Sequence, residues 1–163
     1  GLLLFGVGMV SMALLTLAVL VFIEAGWVPV PDNLPLLLDP QAAISGAALA
    51  QEAGGSLLGR WDIVILYLIY LFFNIAGEEL WWRGYILPRQ ELRHGRLAWV
   101  VHGLLWAAFH AFKYWSIMTL VPFTLAIAFS AQRLKTNWPA TFAHLLGNLS
   151  FFFLIVMGVL GIF

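Results

Sequence analysis

The chain contains hydrophobic runs that are long enough to cross a lipid bilayer. Residues 2–23 carry no charged side chain, and residues 63–77 form a second uncharged run. A hydrocarbon core of about 30 Å is crossed by an α-helix of about 20 apolar residues. Because unpaired backbone polar groups are excluded from lipid, such runs fold as helices. Charged residues make up 10% of the chain, against about 25% in soluble domains. The sequence therefore predicts an all-α, polytopic transmembrane bundle.

Hydropathy and proline positions predict about five membrane spans. Pro88 is expected to close the second span and Pro122 to kink the fourth, whereas Pro139 suits the first turn of the fifth. The predicted spans cover residues 2–23, about 62–87, 97–112, 114–131 and 138–163.

The basic residues predict the orientation of these spans. Arg89, Arg93 and Arg96 follow the second span, and Arg133 and Lys135 follow the fourth. Lys and Arg collect in cytoplasmic loops, and five alternating spans put both basic connections on one side. We therefore expect the N-terminus to lie inside. The 8 basic and 8 acidic residues of the whole chain balance, which argues against a nucleic-acid partner.

The stretch between the first two spans has a different composition. Four prolines within residues 28–40 predict an irregular loop outside the membrane, and residues 41–59 are expected to include a short interfacial helix. We divide the chain into residues 1–61, a first transmembrane helix with an extracytoplasmic loop, and residues 62–163, a catalytic helical core. The chain opens on Gly1 rather than Met, which indicates trimmed ends, and it has no cysteine, which excludes thiolate metal sites.

Three charged residues follow the uncharged run at 63–77. An ionised side chain near the bilayer centre costs about 2.5 to 3.5 kcal/mol, and Glu78 and Glu79 are expected roughly 15 Å deep. Residues four apart share a helix face, so Glu79 and Arg83 are predicted to form an ion pair. Glu78 points about 100° away and is expected to stand apart from that pair. This makes Glu78 the candidate general base.

Two later spans supply further polar groups at similar depth. His110 lies one turn after Trp106, and His144 lies one turn before Asn148, so that His144 and Asn148 share a face. Rise per residue places His110 roughly 20 Å and His144 about 10 Å from their cytoplasmic ends. Two carboxylates, two imidazoles and an amide in a polar intramembrane cavity resemble a site that activates water.

Each of these groups also has a structural interpretation. A buried ion pair can simply fix helix packing, and an intramembrane histidine is often an interhelical hydrogen bonder. His102 has no acidic or amide partner one turn away, so we interpret it as structural. His94 lies in the basic loop and is expected to be solvated.

Three separate motifs resemble the signatures of one protein family. They are "EELWWR" at Glu78, Glu79 and Arg83, "WAAFH" ending at His110, and "HLLGN" from His144 to Asn148. In this order they are similar to the CPBP family, the CAAX proteases and bacteriocin-processing intramembrane proteases of the ABI domain. The second motif departs from the family, which has Phe where this chain has Trp106.

The resemblance implies an all-helical intramembrane protease with a cavity open to the cytoplasmic side, here in a bacterial cytoplasmic membrane. It implies that Glu78 activates water, that Glu79 and Arg83 orient the site, and that His110 helps to position the water. His144 and Asn148 would stabilise the oxyanion. The implied partner is a membrane-associated peptide or protein, which the sequence does not identify further.

Two alternatives to this metal-free endopeptidase are left open. In the first, a zinc-dependent version of the same protease, Glu78, His110 and His144 are the ligands of a divalent metal with an open fourth position. In the second, the chain is a transporter or immunity protein whose polar intramembrane site binds without cleaving. The preferred interpretation requires no cofactor, and the sequence does not indicate the oligomeric state.

Overall fold

The computed structural model describes residues 2–32, 34, 35, 38, 39, 41 and 45–162, with side chains from residue 6 onward. All regular structure in this part of the chain is helical, which confirms the predicted all-α class. The α-helices are α1 (Leu2–Glu24), α2 (Gly46–Glu52), α3 (Trp61–Glu78), α4 (Leu87–His94), α5 (Ala98–Phe109), α6 (Ile117–Leu134) and α7 (Trp138–Val159). A π-helical segment (Glu79–Ile86) joins α3 to α4, and short 3₁₀ turns precede α5 and α6.

Four helical runs in the described residues are long and apolar enough to cross a membrane. They are Gly6–Glu24, Trp61–Phe109, Ala111–Leu134 and Trp138–Val159. The second run has 49 residues, roughly 70 Å of α-helix, more than twice the thickness of the hydrocarbon core. It contains the second predicted span and most of the third. Large apolar side chains such as Leu14 and Phe73 are more than 60% exposed, which suits a lipid environment, and the chain is an integral membrane protein.

The prediction that Pro88 ends the second span is wrong. Pro88 is the second residue of α4, and the helix continues to His94. Just before it, the Leu87 N–H donates to the carbonyl of Trp82, five residues back. A proline in the first turn of a helix removes little, because the N–H groups there lack α-helical partners. The change from π to α spacing places Pro88 at such a turn.

The third and fourth spans are separated as predicted, but their ends are shifted. α5 ends at Phe109, and Lys113 has non-helical angles (φ −125°, ψ 62°). The Ser116 hydroxyl donates to the carbonyl of Lys113 at 3.0 Å, and the Thr119 hydroxyl donates to that of Ser116 at 2.7 Å. Such side-chain bonds compete with helical ones, so α6 begins three residues later than predicted. It ends at Leu134, and the capping residue Lys135 has a left-handed φ of 54°.

The loop after α1 and the chain ends are only partly described. The described residues from 28 to 39 form no helix, as predicted. Parts of the predicted loop, interfacial segment and fifth span lie outside the described residues. These are Asn33, Leu36, Leu37, Pro40, residues 42–44 and Phe163. A short helix does form at α2, where the Ser45 hydroxyl accepts the N–H of Ala48 at 3.2 Å. Its position at the membrane surface stays a prediction, as does the functional division at residue 61.

The chain folds as two compact units. The first comprises Gly1–Val30 and Ala76–Ala143, and the second comprises Pro31–Ile75 and His144–Phe163. In the second unit, Leu49 and Leu57 form a small core with Ile63 and Leu154. The backbone N–H of Gly59 donates to the carbonyl of Val159 at 2.9 Å and ties the start of α3 to the end of α7.

In the first unit, α6 packs against α1 and α5. The core consists of Trp82, Leu87, Ala98, Trp106, Phe123, Ile127, Ala131, Ala140 and Ala143. Glycine permits the close approach of α5 to α6, because a Cβ atom at Gly103 would lie 2.9 Å from the Cα of Leu125. Small residues let membrane helices approach closely in the same way.

We expect Gly103→Ala to destabilise the protein by about 1–3 kcal/mol, because the added methyl group would overlap the backbone of α6. The measurement is unfolding of the purified protein in mixed micelles with increasing denaturant. Gly6→Ala is the matched control, since in the described part of the chain a Cβ at that position meets no atom within 4 Å outside the backbone of its own helix and its chain neighbours. Equal stabilities of the two variants would contradict this account of the α5–α6 packing.

Candidate active site

The π-helical segment positions the first group of predicted site residues. Glu78 is the last residue of α3, and the π segment begins at Glu79. Its wider turn exposes Trp81, which stacks on Tyr85 with a centroid distance of 5.1 Å, and buries Trp82 in the core. Single π turns inside α-helices are frequent at functional sites. The predicted glutamates therefore lie where α geometry changes to π geometry, a change that the sequence patterns did not predict.

Glu79 and Arg83 form the predicted ion pair. Arg83 Nη1 lies 3.0 Å from Glu79 Oε1, and the two side chains are 0% and 4% exposed. Both charged groups of such a pair lose their hydration on burial, so the net contribution of the pair to stability is small. Removing one partner would leave the other charge buried alone. Arg83 also interacts electrostatically with Glu78. The pair therefore links the first turn of the π segment to its middle.

Glu78, which was predicted to stand apart from the Glu79–Arg83 pair, has a hydrogen-bond partner on another helix. Its Oε2 accepts a hydrogen bond from Trp106 Nε1 at 2.8 Å, and the residue is half-buried whereas Glu79 is 3% exposed. The sequence analysis missed this bond because it considered partners one turn away on the same helix, whereas Trp106 is 28 residues later. A charge-assisted bond of this length is among the stronger hydrogen bonds in proteins.

Trp106 connects the other groups of the first unit. The Cζ atom of Arg83 lies 3.4 Å from the centroid of the Trp106 ring, a close cation–π contact. The indole is 2% exposed. Sequence analysis treated this residue as an aromatic substitute in a motif, and only the structure shows that its N–H and its ring face are both engaged.

His110 lies at the end of α5 rather than inside a longer helix. It caps that helix with φ −88° and ψ 21°, and its Nδ1 lies 2.9 Å from the carbonyl oxygen of Trp106. A carbonyl only accepts, so Nδ1 is the donor, and the lone pair of the neutral ring is on Nε2. The rings of Trp106, Phe109 and Phe112 surround the imidazole at centroid distances of 5.6 to 5.9 Å.

His144 and Asn148 belong to the second unit. His144 is 7% exposed, and the Asn148 Nδ2 donates to its carbonyl oxygen at 3.0 Å. The backbone carbonyl of Asn148 in turn accepts from the Tyr67 hydroxyl at 3.1 Å. The structure thus brings Glu78, Glu79, Arg83 and His110 together around Trp106, and His144 together with Asn148. The convergence of these two groups on one pocket stays a prediction.

His102 has a partner that its sequence neighbours do not reveal. It is fully buried, and its Nδ1 lies 2.7 Å from Oε1 of Gln90 on α4. Its ring meets that of Trp82 edge to face at 5.6 Å. These contacts join α4, α5 and the π segment, which supports the structural interpretation of His102. His94 is exposed, as expected.

A cavity of about 570 Å³ lies beside the ion pair within the first unit. Its wall includes Glu79, Arg83 and Gly84 on one side, and Lys135, Asn137 and Trp138 on the other. Lys135 is also paired with Glu91. The cavity therefore reaches Glu79 and Arg83 of the first motif.

The metal alternative has no complete site within either unit. In the described part of each unit, no group of three or more His, Asp or Glu residues could bind a metal ion. The three ligands proposed for zinc come from both units, Glu78 and His110 from the first and His144 from the second. The zinc site therefore stays a prediction.

More than half of the chain matches one protein family. The match covers residues 60–150, which include all six predicted site residues, and the family is described as type II CAAX prenyl endopeptidase Rce1-like. No curated protein and no solved structure matches the chain. The family match confirms the resemblance drawn from the three motifs, and with its apolar spans the chain belongs to the Rce1-like family of membrane-embedded CAAX endopeptidases.

Proposed function

We propose that the protein hydrolyses a peptide bond of a membrane-associated peptide near the cytoplasmic side, with Glu78 as the general base. The observation that carries the proposal is the contrast between two adjacent carboxylates. Glu79 is buried against Arg83, whereas Glu78 is half-buried and held by the Trp106 N–H. Membership in a peptidase family gives this arrangement its chemical context.

Glu78 suits the base better than Glu79 for a geometric reason. A general base must come within hydrogen-bond reach of the water that it deprotonates. The Glu79 side chain is 4% exposed and already faces a cation at 3.0 Å. Glu78 remains accessible in part, while its carboxylate keeps a defined orientation. Glu79 and Arg83 then support the site by fixing the segment that carries Glu78.

His110 would hold the same water from another side. Because its Nδ1 donates to the Trp106 carbonyl, its Nε2 presents a lone pair that can accept a proton of water. A water that donates one hydrogen to Glu78 and the other to His110 points its own lone pair at the scissile carbonyl carbon. The C–O bond forms as Glu78 takes the proton, which then passes to the amine that leaves.

His144 and Asn148 would stabilise the tetrahedral oxyanion. The Asn148 side-chain amide has two N–H groups, and the helix carbonyl of His144 takes one of them. The second is the proposed donor to the oxyanion, together with the buried His144 imidazole. General-base catalysis contributes about 10²–10⁴ in rate, and an oxyanion donor about 10²–10³.

The preferred mechanism needs no metal, whereas the activity of the zinc version would depend on a bound ion. In the zinc version, Glu78, His110 and His144 would hold the ion, which would lower the pKa of a bound water. The transporter or immunity alternative predicts saturable binding of peptide without product.

We expect Glu78→Gln to reduce kcat at least about hundredfold, because the amide cannot accept the proton from water. The assay uses vesicles containing the protein and a quenched fluorescent peptide with an S-farnesylated cysteine, alongside the same peptide without the lipid. Glu24→Gln, an exposed glutamate at the end of α1, is the matched control and should retain full activity. Cleavage by Glu78→Gln at the wild-type rate would show that another group is the base. Binding of both peptides without any product from the wild type would favour the non-enzymatic alternative.

We expect Asn148→Ala to lower kcat about hundredfold with little change in KM, because an oxyanion donor acts mainly in the transition state. Ser150→Ala is the control, since the exposed Ser150 hydroxyl donates to the carbonyl of Gly147 within its own helix. A variant Asn148→Ala with raised KM and unchanged kcat would assign Asn148 to substrate binding instead.

We expect the purified protein to keep its activity after dialysis against a strong zinc chelator, with less than one zinc per ten chains by elemental analysis. Loss of activity on chelation, with recovery on adding zinc alone, would favour the metal version. Glu78→Gln then serves as the inactive reference for both samples.

A further inference from the structure

Trp106 contacts every candidate site residue of the first unit apart from Glu79. Its Nε1 donates to Glu78 at 2.8 Å, its ring face lies 3.4 Å from the Arg83 Cζ, and its carbonyl oxygen accepts from His110 at 2.9 Å. The corresponding position in the family signature is Phe, whose ring offers an aromatic face without a hydrogen-bond donor. This chain therefore has a donor at a position where the family pattern has none.

We propose that Trp106 is a positioning residue for the general base, whose indole N–H fixes the Glu78 carboxylate in the orientation that accepts a proton from water. The inference rests on the proposed function of Glu78. A carboxylate rotates about its terminal bond, and that torsion is broad. One short bond from a fixed donor to Oε2 defines the carboxylate plane, and with it the directions of the remaining lone pairs.

The donor itself is held rigidly enough to serve this purpose. The indole is 2% exposed and lies in the core of the first unit. Its ring packs 6.4 Å from that of Phe123 on α6, and the Arg83 guanidinium covers its face. Arg83 is in turn tied to Glu79. The N–H therefore points in one direction whatever the state of the substrate.

The same residue couples the base to the imidazole. His110 caps α5 by donating to the Trp106 carbonyl, so both proton acceptors proposed for the water take their orientation from Trp106, one from its side chain and one from its backbone. Substitution by Phe would keep the backbone bond and the aromatic face for Arg83. It would remove the N–H that bonds Glu78 and would also reduce the size of a core side chain, so an isosteric control is needed beside Trp106→Phe.

We expect Trp106→Phe to lower kcat about ten- to hundredfold while KM stays unchanged, because a misplaced catalytic group weakens the transition state more than binding. Trp99→Phe, the same substitution two turns earlier on α5, is the matched control. Incorporation of 3-benzothienylalanine at position 106, which replaces the N–H by sulfur and keeps the ring size, separates the bond from packing. It should reproduce the loss of kcat, and wild-type kcat in that variant would overturn the inference.

A second measurement does not depend on turnover. The indole ¹H–¹⁵N resonance of Trp106 in nanodiscs, assigned by its absence in Trp106→Phe, should move upfield in Glu78→Ala because the charge-assisted bond is lost. An unmoved resonance would overturn the positioning inference even in an active protease. The resonance could also shift while the Glu78→Gln variant cleaves normally. That result would establish the hydrogen bond, but it would show that Glu78 is not the base and that Trp106 is not its positioning residue.

Discussion

The buried Glu79–Arg83 pair is the interaction on which the first unit depends. Two opposite charges with side chains at most 4% exposed lie in a helix that follows an uncharged run of the membrane protein. Each charge alone would cost several kcal/mol in such surroundings, so neither can be removed without disturbing the other. The pair therefore fixes the π segment, and the Arg83 guanidinium anchors that segment to Trp106 through a 3.4 Å contact.

This anchoring gives the two neighbouring glutamates different properties. Glu79 is buried against Arg83, and Glu78 is half-buried and accepts a hydrogen bond from the Trp106 N–H. A carboxylate that is both oriented and partly accessible is what proton abstraction requires. A structural ion pair alone would explain Glu79 and Arg83, but it gives no reason for a second carboxylate to be held next to them by an indole N–H.

Sequence reasoning predicted the features that depend on local spacing. The pairing of Glu79 with Arg83 and the helical class follow from residues four apart or from hydropathy. It failed where partners are distant or where backbone geometry changes. Three features leave no trace in short-range sequence patterns. They are the bond from Trp106 to Glu78, the pairing of His102 with Gln90, and the π turn that lets the helix continue through Pro88.

The position of His110 shows why those failures concentrate at the candidate site. A histidine inside a continuous helix would have its backbone carbonyl bonded four residues ahead and its ring on the helix surface. Ending α5 at Phe109 instead lets the imidazole turn back onto the carbonyl of Trp106, which fixes its tautomer. The 3₁₀ turn that follows separates the helices at this point. Local breaks in regular structure at the ends of α3 and α5 thus place Glu78 and His110 around one indole. Irregular backbone in membrane proteins is tolerated where it is buried in protein or lines a cavity.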